Sequence, residues 1–286
     1  MANDCRFAVL IDADNVSVKY IKIILDEISK DGIATYKRIY GDWTNPSLIS
    51  WKSALLDNSI IPIQQYSYTT GKNSTDSAMI IDAMDILYSG KVEGFCLVSS
   101  DSDFTRLAAR LRESGMTVIG MGESKTPNSF IASCNKFKYL DILSAADEEE
   151  PEDAQKPELP KKALQQKKSP SRKTASQKKA KDEPKTEKEP KASDTKKQQK
   201  DIEEPRTSLR TIRRALRTIV RENSDEDNWI IIGKVGNILG KRYPDFDVRN
   251  FGFSKLTPFL DSLDMFEIKS ERKDSNSSPQ MYVRLK

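Results

Sequence analysis

Two segments of this sequence place a pair of carboxylates directly behind an apolar run. In the first, Phe7-Ala8-Val9-Leu10-Ile11 leads into Asp12-Ala13-Asp14-Asn15; in the second, Phe95-Cys96-Leu97-Val98 leads into Ser99-Ser100-Asp101-Ser102-Asp103. Side chains two positions apart on an extended chain share a face, so each Asp-x-Asp can aim both carboxylates at one crevice if the extended backbone lasts that far. Asp14 or Asn15 would serve equally well as the cap of a following helix. A third acidic contribution comes from Asn73-Ser74-Thr75-Asp76, which opens a helical pattern that also carries Asp82 and Asp85. Asp76 falls in the first turn, where the helix dipole favours an anion. Asp82 lies nearly two turns further on and is displaced around the helix, which makes it a secondary candidate, and Asp85 is expected to face solvent.

The chain contains no histidine among its 286 residues. Ser-His-Asp and Cys-His nucleophiles, histidine acid/base chemistry and histidine-ligated metals are thereby excluded. Carboxylates that converge without histidine repel one another, and their pKa values rise unless a cation neutralises them. Hard oxygen donors of this kind suit Mg2+ or Mn2+. Such an ion lowers the pKa of a bound water, sets it in line with a phosphodiester and stabilises charge on the phosphorus oxygens. Asn15, Thr75, Ser99 and Ser100 are the polar side chains placed to hold that water or the phosphate.

Something must bring these segments together. From Phe7 to about Leu143 the pattern alternates short apolar runs with helical periodicity: strands at 7–11, 35–40, 60–65, 94–100 and 116–122, helices at 16–29, 48–56, 76–88 and 104–114. Regular alternation predicts an α/β fold, a doubly wound, mostly parallel sheet with helices on both faces, whose ligands bind beyond the carboxyl ends of the strands. Strands one and four are the neighbours expected at the switch point of such a sheet, so the two Asp-x-Asp pairs would face each other there.

The chain changes character at Ala145. From there to about Pro205, lysine, glutamate, proline, serine and glutamine repeat with almost no large apolar side chain, and the segment reads as a disordered linker. Basic residues outnumber acidic ones by about ten between Lys156 and Lys200, enough to attract a polyanion or simply to keep a spacer solvated. Periodicity returns at Arg206. Leu209, Ile212, Leu216, Ile219 and Val220 recur at helical spacing with arginines between them, and two further helical patterns and a closing hairpin follow. Three helices and a hairpin in about 80 residues describe a winged helix-turn-helix. The organisation is thus 1–144 as an α/β domain, 145–205 as linker and 206–286 as the second domain. Arg213, Arg214, Lys234, Lys241, Arg249 and Lys255 are candidate phosphate contacts, and Phe251 and Phe253 either stack on bases or belong to the core.

With the motifs in view, DADN (12–15), KNSTDSAMIIDAMDIL (72–87) and LVSSDSDFTRLAARLRESGMTVIGMG (97–122) resemble those of the NYN domain, a branch of the PIN-like nuclease superfamily. The resemblance implies a ribonuclease dependent on Mg2+ or Mn2+, acting as an endonuclease, with Asp12, Asp76, Asp101 and Asp103 as metal ligands and catalytic groups and Asn15 as a polar accessory. Ser100 departs from the glycine that the family often has there. The stretch from Arg206, above all KVGNILGKRYPDFDVRNFGFSKLTPFL, resembles the OST-HTH or LOTUS domain, which implies a winged helix that binds RNA, single-stranded or structured and G-rich. A protein partner of that domain and a homodimer stay open beside it. So do two other functions: a non-catalytic RNA-binding adaptor, and a phosphatase of haloacid dehalogenase type with Asp12 as nucleophile and Asp14 as acid/base.

Cys5, Cys96 and Cys134 are too scattered for a zinc site or a disulfide framework. No run approaches the roughly 20 apolar residues that span a bilayer, and the N-terminus lacks the layout of a signal peptide, so a cytoplasmic protein without a membrane partner is expected.

Overall fold

A computed structural model describes residues 4–66, 74–148, 207–272 and 279–286. Asn73, the linker from residue 149 onward, Arg206 and the polar tip of the C-terminal hairpin lie outside them.

Six parallel strands form one sheet in the order β3-β2-β1-β4-β5-β6: β1 Arg6–Asp12, β2 Ile33–Gly41, β3 Ile61–Gln64, β4 Gly94–Val98, β5 Thr117–Gly122 and β6 Lys136–Tyr139. The central β1 and β4 are buried along nearly their whole length, as their unbroken apolar runs require of strands covered on both faces. Helices α1 (Ile21–Ser29) and α2 (Trp51–Asp57) cover one face with Ile24, Ile28, Trp51 and Leu55. On the other face, α3 (Ser74–Ser89), α4 (Thr105–Glu113) and α5 (Asn128–Ser133) pack Met79, Ala83, Ile86, Leu107, Leu111 and Phe130. Chain order runs outward from β1 to β3, then returns through α3 to β4 beside β1 and runs outward the other way. The switch point therefore lies between β1 and β4, where Ile11 pairs with Val98.

Two local features differ from the sequence expectation. Val16 to Ser29 is not one helix but a 3-10 turn, Val18–Tyr20, followed by α1. The sheet also has a sixth strand, followed by a sixth helix, α6 (Leu140–Glu148), that runs past the expected boundary at 144. Strand β6 is four residues long and alternates Lys136 and Lys138 with Phe137 and Tyr139, the charged pattern of an edge, so it carries no apolar run to mark it.

The C-terminal part consists of α7 (Leu209–Asn223), β7 (Ile230–Ile231), α8 (Ile232–Arg242), α9 (Leu256–Ser262), β8 (Phe266–Glu271) and β9 (Gln280–Leu285), with an antiparallel sheet ordered β7-β9-β8. Ser208 caps α7 by accepting from the Thr211 amide, and Ile212, Leu216, Ile219 and Val220 form the apolar stripe that meets Val235, Leu239, Phe259 and Val283. Phe251 and Phe253 lie against Phe259, with ring centroids at 5.2 and 5.6 Å, so both belong to this core.

The described residues on either side of the linker form one compact unit. The β6 edge carries the junction: the Phe137 amide donates to the Pro244 carbonyl at 2.7 Å, and Asp245 is buried while it accepts from Tyr139 Oη, the Thr207 amide and Thr207 Oγ1. Glu27, 3 % exposed at the end of α1, takes both Arg249 Nη1 (2.6 Å) and Nη2 (2.9 Å), together with Lys30 and Lys138. Burial pushes the Glu27 carboxyl up, but the hydrogen bonds from Arg249, Lys30 and Lys138 outweigh it and hold it well below the usual carboxylate range.

Candidate metal centre

The three acidic segments meet above the C-terminal ends of β1 and β4. Strand β1 ends on Asp12, whose neighbours in register are Tyr40 on β2 and, one residue earlier, Val98 on β4. Past β4 the backbone leaves the sheet and Asp101 becomes the N-cap of a 3-10 turn, Ser102–Phe104, its carboxylate accepting from the Asp103 amide at 2.9 Å. The cap geometry turns the chain so that Asp101 and Asp103 both stand over the switch point. From the other side, Asp76 enters in the first turn of α3, 8 % exposed.

Asp76, Asp101 and Asp103 each offer one carboxylate oxygen, and these atoms all lie within 4.8 Å of one another. Burial, and then the negative charges of Asp12, Asp101, Asp103 and Asp14, push the Asp76 carboxyl up to about 6. All of these effects act in one direction, and a divalent cation is the species that would reverse them. Asp76 is buried, Asp101 half-buried and Asp103 exposed, and three hard oxygen donors so placed suit Mg2+ or Mn2+, which retain several waters and bind through few carboxylates.

Asp12 has a different place. It is fully buried, and both oxygens are engaged: the Asp14 amide donates to Oδ1 at 3.0 Å, and Asn15 Nδ2 (2.7 Å) and Ser99 Oγ (2.8 Å) donate to Oδ2. Burial raises its pKa against these hydrogen bonds. Ser99 in turn accepts from the Asp101 amide at 3.1 Å, so one hydroxyl ties the end of β1 to the start of the acidic turn. Ser100 Oγ accepts from the Glu123 amide and so fastens the same turn to the end of β5. The Asn15 amide, expected to hold water or phosphate, donates to Asp12, while Asp14 and Asn15 are exposed at the rim. Thr75 is buried beside Asp76.

Asp82 is not brought into the cluster. It points at β2, where Arg38 and the Tyr40 hydroxyl both donate to it. Arg38 and Tyr40 are absent from the sequence candidates because their relation to α3 depends on how that helix lies across the sheet. Asp85 is exposed, as expected. Gly122 was also missed: a Cβ there would stand 2.6 Å from the Ser99 carbonyl and 2.7 Å from Thr126 Oγ1, so β5 can approach the acidic turn this closely only without a side chain.

Among the nucleic-acid candidates, Lys234, Lys241 and Lys255 are exposed, as are Arg213 and Arg214 on α7. Arg213 donates to the Leu263 carbonyl, which ties it to the fold. Arg249 is held by Glu27 and Asp247.

The model of the NYN domain matches residues 6–141, and that of the OST-HTH/LOTUS domain matches residues 206–277. The chain joins an NYN domain to an OST-HTH domain. The NYN match spans all six strands and every residue of the acidic centre, and the OST-HTH match starts just ahead of α7 and stops within the hairpin. Buried and already accepting three hydrogen bonds, Asp12 is poorly placed for the attack on phosphorus that the phosphatase reading requires of it. Among solved structures, the chain is similar to a protein of unknown function from Vibrio parahaemolyticus, 17 % identical, with a TM-score of 0.42 over 49 % of this chain and 94 % of that one. It is also similar to an uncharacterized protein from Nitrosomonas europaea, 27 % identical, with a TM-score of 0.25 over 32 % of this chain and 89 % of that one. No curated protein matches the chain. Among the described residues, no helix is long and apolar enough to cross a membrane.

Proposed function

We propose that the chain is a ribonuclease that uses Mg2+ or Mn2+ and cleaves RNA internally at the acidic centre of the NYN domain, with the OST-HTH domain holding the RNA. The observation that carries this reading is the convergence of Asp76, Asp101 and Asp103 within 4.8 Å at the switch point of the sheet. These three residues would hold the cation, which, when bound, supplies an activated water and stabilises negative charge on the phosphate.

The chain's own residues do the positioning. Asp101 keeps its carboxylate directed by capping the 3-10 turn, and Ser99 and Ser100 lock that turn to β1 and β5. Asp12 holds Ser99 and Asn15 and adds negative potential at Asp76, which strengthens the demand for a cation. The rim carries Asp14 and Asn15, both exposed where a phosphodiester would approach. Arg38, Tyr40 and Asp82 fasten α3 to β2 and so fix the first turn from which Asp76 reaches the centre.

The test is to incubate wild type and Asp101→Asn with labelled single-stranded RNA, duplex RNA and DNA, each with Mn2+, Mg2+ or chelator. Internal cleavage of RNA by wild type with a divalent ion, lost in chelator and in a folded Asp101→Asn variant, is expected. RNA bound tightly but left intact under every condition would instead make the protein an RNA-binding adaptor.

A further inference from the structure

We infer that the OST-HTH domain grips RNA through the first helix, α7, and not through the helix that a winged helix-turn-helix ordinarily sends to nucleic acid. The inference rests on the reading that this domain holds RNA and specifies which surface does so. Arg210, Arg214, Arg217 and Arg221 recur at spacings of four, three and four, and Arg213 lies beside them. At 100° per residue the four fall within a narrow sector centred opposite Ile212, Leu216 and Ile219 and so point straight away from the core. All five are exposed, and with Leu209 and Thr218 they line one shallow recess along the helix. The stripe runs roughly 16 Å along the axis.

This stripe is uncompensated. Several basic residues elsewhere on the molecule find carboxylates, among them Arg6 with Glu93, Lys136 with Asp31 and Arg284 with Glu267, whereas α7 gathers four without one on a single face. Among the described residues, no carboxylate lies within ion-pair distance of Arg210, Arg214, Arg217 or Arg221. Like charges three and four residues apart weaken a helix by themselves, so the fold tolerates a destabilising arrangement that a polyanion would relieve. Every member is arginine, whose planar fork of donors fits phosphate oxygens in pairs.

The usual recognition surface lacks this character. Helix α9 occupies the recognition position, yet Leu256–Ser262 contains no lysine or arginine and exposes Asp261, with Lys255 only at its N-cap. Helix α8 carries Lys234 in its first turn and Lys241 and Arg242 in its last, exposed but without a continuous stripe between them. No aromatic side chain lies among the α7 arginines to stack on bases, and the contact assigned to this stripe is with the sugar-phosphate backbone.

The test compares the full chain bearing Arg210→Gln, Arg214→Gln, Arg217→Gln and Arg221→Gln with one bearing Lys234→Gln, Lys241→Gln and Lys255→Gln. Binding of a short unstructured RNA is followed by fluorescence anisotropy over a series of salt concentrations, in chelator so that nothing is cleaved, and circular dichroism reports the fold. With about 0.7 released counterions for each phosphate neutralised on a single strand, the arginine variant should lower the slope of log K against log salt by about 3 and weaken binding at low salt by roughly 100-fold or more. The lysine variant should move the slope by less than half as much. An unchanged slope in a folded arginine variant, or a larger loss in the lysine variant, overturns the α7 assignment while leaving RNA binding intact. If wild type fails to bind RNA and binds polyglutamate, both this inference and the RNA-holding reading fail, and α7 becomes a site for an acidic protein.

Discussion

Replacing Asp76 by asparagine should make the metal-free protein more stable and abolish its response to a divalent ion. The carboxyl is pushed from 3.8 to about 6, so at neutral pH ionising it in the fold is disfavoured by about 3 kcal/mol relative to the unfolded chain. Partial access to water and the favourable N-terminal dipole of α3 both work against this, which leaves a net effect of about 1–2 kcal/mol. At roughly 2–4 °C per kcal/mol for a fold of this size, Asp76→Asn should raise the melting temperature in chelator at pH 7 by about 2–8 °C. The sign with pH follows from a folded pKa that lies above the unfolded one. Wild type gains stability as pH falls through 6 towards 3.8, the asparagine variant has no such gain, and the two melting curves should converge near the lower value. Added Mn2+ should then raise the wild-type melting temperature and leave the variant nearly unmoved. The assay is a thermal melt of both proteins in chelator and in Mn2+ at neutral and acidic pH. A variant that is less stable than wild type in chelator, or that gains as much from Mn2+, would refute the argument that mutual repulsion at this centre calls for a cation.

Three further perturbations probe how the centre and the junction are built. Ser99→Ala removes the hydroxyl that donates to Asp12 and accepts from the Asp101 amide; a loss of about 1–2 kcal/mol in chemical denaturation and a marked fall in cleavage rate are expected. Gly122→Ala forces a methyl group against the Ser99 carbonyl and should cost about 1–3 kcal/mol while weakening Mn2+ binding measured by calorimetry, since the acidic turn must move. Glu27→Gln leaves Arg249 with Asp247 alone and should destabilise the junction by about 2 kcal/mol, read as faster hydrogen exchange in residues 207–212 and 244–251 with unchanged exchange in β1 and β4. Because the folded pKa of Glu27 is depressed, its contribution is complete above about 4.5 and fades as pH falls below that value, so the wild-type junction should loosen in acid and the glutamine variant should lack that step.

The NYN centre was legible in the sequence because its acidic residues sit at the ends of elements with strong local signatures. Five unbroken or alternating apolar runs separated by helical periodicity dictate a parallel α/β sheet, and such a sheet has one place where the strand order reverses, so Asp12, Asp101 and Asp103 had to arrive near each other. Asp76 followed from its position in the first turn of α3. The absence of histidine restricted the chemistry to hard oxygen donors before any fold was known.

Tertiary structure decided the division of labour. Asp12 and Asp101 look alike in sequence, each following an apolar run, yet Asp12 is enclosed by Ser99, Asn15 and the Asp14 amide while Asp101 stands with Asp76 and Asp103. That difference depends on how far each carboxylate rises past the sheet, a quantity no local pattern records. Asp82 was drawn to Arg38 and Tyr40 for a similar reason: the tilt of α3 across β2 sets which turn of the helix meets which strand. Arg249 reads in the sequence as a candidate phosphate contact, and the fold pairs it with Glu27, 222 positions away in the chain. Local periodicity fixes which residues share a face; only packing brings distant faces together, and burial and charge pairing are properties of those meetings.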